Sequence, residues 1–199
     1  MSSKAFLFLG CGAFVMIGLV VGFLMMVGGH NQLITHQQNV GAAWAQVQNA
    51  YQRRADLVPN LVATVKGAAD FQSETLQAVV DARSRVGNIQ IEGAPTEQML
   101  ESFEAAQGEL SSALSRLLVV VENYPELTAT ENFRDLQSQL EGTENRISVE
   151  RRRFNEAVRE YNTLRGKIPM NLIANVMGFE EKPYFAADAG AEKAPEVQF

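Results

Sequence analysis

Leu33 to Val65 reads LITHQQNVGAAWAQVQNAYQRRADLVPNLVATV, and its apolar residues advance by threes and fours. Leu33, Val40, Trp44, Val47, Tyr51, Val58, Leu61 and Val65 fall on one stripe, the pattern of a helix buried along a single seam. The stripe runs on in phase through Leu76 and Val79 to Val86, where Gly87-Asn88 supplies a stop. Pro59 removes one backbone donor and crowds the preceding turn, so a kink is expected there.

N-terminal to this stripe, Ala5 to Val27 is a 23-residue run without a charge. A helix of that length crosses the roughly 30 Å hydrocarbon layer of a bilayer. A cleaved secretory signal fits less well, because the apolar stretch is too long and no A-x-A follows it. A lipoprotein reading of Leu9-Gly10-Cys11 leaves too few apolar residues before the cysteine. Residues 1–29 are therefore expected to be an uncleaved anchor, 30–177 a helical bundle and 178–199 a disordered tail. Lys4 precedes the run and the next basic residue after it is Arg53. That places the N-terminus in the cytoplasm and the bundle outside it.

The remaining helices follow from the same periodicity. After a polar loop, Asn88 to Ala94, Pro95-Thr96-Glu97 starts a helix carrying Met99, Phe103, Ala106, Leu110, Ala113, Leu117 and Val120 on one stripe. Asn123-Tyr124-Pro125 ends it. A third begins near Thr128 or Thr130, shows Phe133, Leu136, Leu140, Ile147, Phe154, Ala157, Tyr161 and Leu164, and closes at Gly166 and Pro169. Asn171 to Met177 fits one short amphipathic helix. No alternating pattern suggests a strand, so the fold class is all-α: an anchor followed by a long antiparallel bundle of up to four helices.

Length sets a problem within that fold. A continuous helix over residues 31–87 spans about 85 Å at 1.5 Å per residue. A second helix half as long, folding back from residue 90, ends level with Pro59 and leaves Leu33 to Tyr51 without a partner. Val58-Pro59 offers no loop for a reversal, so the lower stripe is expected to pack against another copy, making a homo-oligomer.

Several stretches resemble one family. Ala42-Ala43-Trp44-Ala45-Gln46-Val47 and Arg53 to Val62, RRADLVPNLV, are similar to the signature of the LemA family. Asn123 to Leu127, Glu141 to Ile147, Tyr161-Asn162, Ile168-Pro169 and Tyr184-Phe185 resemble it too. The resemblance implies a bacterial single-pass membrane protein with an antiparallel helical bundle on one side of the membrane. It implies no reaction, and it links the chain to membrane remodelling or to a membrane protease.

Composition and motifs agree with a non-enzymatic chain. The net charge of −6 argues against a nucleic-acid partner and a polybasic lipid patch. Cys11 is the only cysteine, no nucleophile motif or phosphate loop is present, and no cofactor or metal is expected. His30 and His36 lie on different helix faces with no third ligand, which suits interfacial polar residues. Arg54 falls on the seam between Tyr51 and Val58 and needs a buried partner, for which Glu122 or Glu126 is expected, with Asp56 helping. It reads as an ion pair fixing register near Pro59, or as a partner-binding site. Trp44, Tyr51 and Pro59 recur as Phe154, Tyr161 and Pro169 at an offset of 110 residues, read as two seams of core aromatics, with an internal duplication as the other account. Arg151-Arg152-Arg153 reads as a solvated face. Val197-Gln198-Phe199 has the form of a terminus that adds to a PDZ-type groove, against a plain disordered end. The expected function is a self-associating scaffold at the bacterial inner membrane, with an adaptor for a membrane protease as the alternative.

Overall fold

The computed structural model describes residues 3–67 and 73–186; Phe199 and the PDZ-type terminus lie outside them. The described residues form helices α1 (Ser3–Lys66), α2 (Ser73–Gly87), α3 (Glu97–Val121), α4 (Pro125–Thr128), α5 (Glu131–Gly166) and α6 (Met170–Met177), with no strand among them. The all-α expectation holds, as does the short helix near residue 171.

α1 is a single helix of 64 residues, about 96 Å long at 1.5 Å per residue. It continues unbroken through Pro59, so the chain does not reverse there. Pro59 has no N–H to give the carbonyl four residues back, and that carbonyl belongs to Ala55. Arg83 Nε from α2 donates to it at 2.8 Å, replacing the missing bond and fixing α2 against α1.

The reversal falls instead between Gly67 and Ser73, and α2 runs back along α1 with Val79, Ala82 and Val86 in the same core as Leu57, Val58, Leu61 and Val65. The expected single helix over 31–87 is thus two helices. Because α2 descends, α3 climbs parallel to α1, the opposite of the expected direction. Thr96 and Thr130 cap α3 and α5, their hydroxyls accepting from the N–H of Met99 and Phe133.

α5 corrects the larger expectation. At 36 residues, about 54 Å, it is long enough to run antiparallel down most of the body of α1. Leu33, Val40, Trp44, Val47 and Tyr51 are buried against Ile147, Phe154, Val158 and Tyr161, with Phe103 from α3 and Ile173 from α6 closing the cluster. The lower stripe is filled within one chain, which removes the reason given for self-association. A second, upper cluster gathers Leu57 to Val65, Val79 to Val86, Leu110 to Val121, Leu127, Phe133 and Leu140. The two clusters make a bundle of α1, α2, α3 and α5 above and an α1–α5 pair closed by the start of α3 and by α6 below.

The start of the tail is also ordered. Residues 179–186 form an extended strap on the lower bundle, burying Phe179 and Phe185. Apolar periodicity could not reveal it, because the strap is held mainly through its backbone.

Candidate functional site

Three features stand out: a buried arginine between the two apolar clusters, the strap, and the foot of the bundle where α6 meets α1. Arg54 sits on α1 one turn above Tyr51 and is only 1% exposed. Its Nη1 donates to Ser111 Oγ at 2.8 Å and to Glu144 Oε1 at 2.7 Å. Its Nη2 donates to the Gln107 side-chain oxygen at 2.5 Å and to the Gln107 carbonyl at 3.3 Å. The guanidinium also lies 5.0 Å from the centre of the Tyr51 ring. An inward arginine was legible from the stripe, but its expected partners were not. Glu122 and Glu126 are exposed at the far end of α3 and on α4, and Asp56 is exposed and accepts from Gln52 at 2.7 Å. The expected geometry had α3 ending beside Arg54; the reversal before residue 73 instead brings the middle of α3 there.

Arg54 and Arg151 line a surface cleft of about 580 Å³ with Tyr51, Glu104, Gln107 and Glu144. Burial holds the Tyr51 hydroxyl above its usual titration range, opposed by the charges of Arg151 and Arg54. A phenol between two arginines and two carboxylates can hold register. Among the described residues, no three His, Cys, Asp or Glu side chains are grouped as a metal set.

Arg151 departs from the expected solvated face. Consecutive helical residues stand about 100° apart, so three adjacent arginines cannot share one side. Arg151 turns inward, 3.2 Å from Glu104, stacked 4.8 Å above Phe185 and donating to the Ala186 carbonyl at 3.0 Å. Arg153 stays outward and pairs with the buried Glu150 at 3.1 Å.

The strap is read by side chains of α5. Asn162 Nδ2 donates to the Lys182 carbonyl at 2.8 Å, and the Lys182 N–H returns a bond to Asn162 Oδ1 at 3.0 Å. Asn155 makes the same pair with Phe185, at 3.2 and 2.9 Å. Seven helical residues span about 10.5 Å and three extended residues about 10 Å, so two asparagines seven apart match strap residues three apart. Tyr161 Oη donates to the Glu180 carbonyl at 2.8 Å and Arg165 Nε to that of Phe179 at 2.9 Å. Burial raises the Tyr161 phenol above its usual range, opposed by the Arg165 charge. Asn162→Ala is expected to cost about 1–2 kcal/mol locally and to speed exchange of the Lys182 amide about 5- to 30-fold, with α5 amides unchanged. Hydrogen exchange followed residue by residue checks it.

Trp44 is the centre of the lower cluster, with Phe103, Phe154 and Phe185 ring centres 5.1, 5.6 and 6.0 Å away. The 110-residue offset has no counterpart in architecture. Trp44 and Phe154 face each other on antiparallel helices, Pro59 is inside α1, and Pro169 precedes α6. His36 Nδ1 lies 3.9 Å from Glu160, and the His30 ring meets the edge of Phe179 at 5.5 Å.

Comparison with known proteins adds the lineage. Magnetosome protein MamQ 2 of Paramagnetospirillum magneticum is 26% identical over 185 residues, covering 83% of this chain and 68% of that protein. Magnetosome protein MamQ of Magnetospirillum gryphiswaldense is 24% identical over 191 residues, 87% of this chain and 70% of its own. Protein LemA of Metamycoplasma hominis is 21% identical over 150 residues, 75% and 65% of the respective lengths. The LemA family profile matches residues 43–199, which include Trp44, Arg54, the whole of α5 and the strap. With more than three quarters of its length matched, from the aromatic core to the strap, the chain belongs to the LemA family.

Proposed function

We propose that this chain is a non-enzymatic, membrane-anchored scaffold of the bacterial inner membrane, with its bundle on the extracytoplasmic side. The observation that carries the reading is the continuity of α1. The helix that holds the exposed apolar residues Met16 to Val27 also holds the buried seam Leu33 to Val65. It is long and apolar enough to cross a membrane. No loop separates the two parts, so the membrane sets the direction in which the bundle projects. The matched relatives carry names that specify no reaction, in keeping with a structural role.

The full-length chain in native membranes is expected to resist alkaline extraction. Replacing both Val20 and Leu24 with Asp, at about 2.5–3.5 kcal/mol per charge in mid-bilayer, moves it to the extractable fraction. Protease added to the extracytoplasmic side digests the bundle of the unaltered chain. Complete extraction of the unaltered chain contradicts the anchor, and protection from outside protease contradicts the orientation.

A further inference from the structure

The foot of the bundle carries an apolar face that no part of the described chain covers. In α6, Ile173 and Ala174 are buried against the lower cluster. Ile168, just before the helix, and Leu172 and Val176 within it step by four, and they are 83%, 62% and 76% exposed. Met177 adds to the same exposed set. From Ile168 to Phe179 there is no charged residue, while Lys167 stands at one end and Glu180 at the other.

The position of this face along α1 identifies what covers it. α6 meets α1 at Gly29, where a Cβ would stand 2.5 Å from Ile173 Cδ1 and 2.9 Å from Met170 Sδ. Glycine permits that close approach. Val27, the last residue of the exposed apolar run, is two residues away, about 3 Å along the axis. The exposed face of α6 is therefore level with the edge of the apolar belt on α1. A helix at that height, apolar outward and flanked by charge, has the character of one lying in the headgroup–acyl boundary, where such helices sink about 5–10 Å.

We propose that Ile168, Leu172 and Val176 insert into the interface of the same bilayer that α1 enters, so that the bundle is seated at two points. The proposal rests on the reading of α1 as a membrane anchor. One helix alone leaves the bundle free to tilt in any direction relative to its own faces; a second lipid contact on one side fixes which flank leans toward the membrane. Gly178, at φ 73°, ends α6 in the left-handed conformation and turns the chain back up into the strap at Phe179.

Site-directed spin labelling of the full chain tests this. In a Cys11→Ser background, nitroxides are placed singly at Leu172→Cys, Val176→Cys, Val20→Cys and, as an aqueous control, Arg152→Cys. The protein is reconstituted into vesicles of phosphatidylethanolamine and phosphatidylglycerol. Collision with oxygen is compared with collision with a water-soluble nickel chelate, and circular dichroism confirms that each variant keeps its helix content. Labels at 172 and 176 are expected to favour oxygen several-fold, as the label at 20 does, while that at 152 favours nickel. Nickel preference at 172 and 176 with oxygen preference at 20 overturns the seating and leaves the anchor intact. Nickel preference at 20 overturns the anchor itself. Loss of access to both reagents at 172 and 176 means that protein, such as a second copy, covers the face, and also overturns the proposal.

Discussion

Trp44→Ala is expected to lower the stability of the bundle by about 3–5 kcal/mol, the largest loss of any single truncation considered. Trp44 is 1% exposed and joins α1 to α3, α5 and the strap through Phe103, Phe154 and Phe185. Removing the indole opens a void among rings that belong to different elements; two edge-to-face contacts, with Phe103 and Phe154, and one stacked contact, with Phe185, are lost. At about 2–4 °C per kcal/mol for a chain of this size, the melting midpoint in detergent falls by about 6–20 °C. Thermal unfolding followed by circular dichroism measures it. Trp44→Phe is expected to cost much less, because the indole N–H is buried without a hydrogen-bond partner and its loss removes a desolvation penalty. An equal loss for the two variants contradicts this account of the packing.

Arg54→Ala ranks second, at about 2–3 kcal/mol. The full penalty for stranding a buried charge does not apply, because the Glu144 side chain is 51% exposed and rehydrates. What remains is Gln107, 4% exposed, whose side-chain oxygen loses its donor, together with the packing of the guanidinium on Tyr51. Glu144→Gln should accordingly cost about 1 kcal/mol or less. The pair Arg54→Met with Gln107→Leu is expected to recover most of the loss, since an apolar layer then joins the clusters above and below. Chemical denaturation of the three variants separates these cases. If the double variant is no better than Arg54→Ala while both fold, the layer is more than a structural spacer.

The parts of this fold that were legible in the sequence are those with a repeating apolar signal. The seam from Leu33 to Val65, the stripe of α5 and the short α6 all show in the spacing of their apolar residues. Arg54 showed as inward because a charge at a seam position has no other place to go. The reversal before α2 was hidden by coincidence of phase. Val58, Val65, Val79 and Val86 are separated by multiples of seven, so the heptad runs straight through the break. That one reading inverted α3, misplaced the partners of Arg54 and left the lower stripe apparently uncovered. The strap escaped for a different reason: its recognition lies in backbone bonds to Asn155 and Asn162. Two asparagines seven apart on a helix face were its trace in the spacing of α5.

The central claim is that one uninterrupted helix couples the apolar belt to the bundle. Pulsed electron–electron distances between nitroxides at Val20→Cys and Arg53→Cys, in a Cys11→Ser chain reconstituted into bilayers, test it most directly. Thirty-three residues of continuous helix predict a narrow distribution centred at about 50 Å. A broad distribution reaching much shorter distances would mean that the chain bends at Gly28-Gly29, and would contradict the coupling.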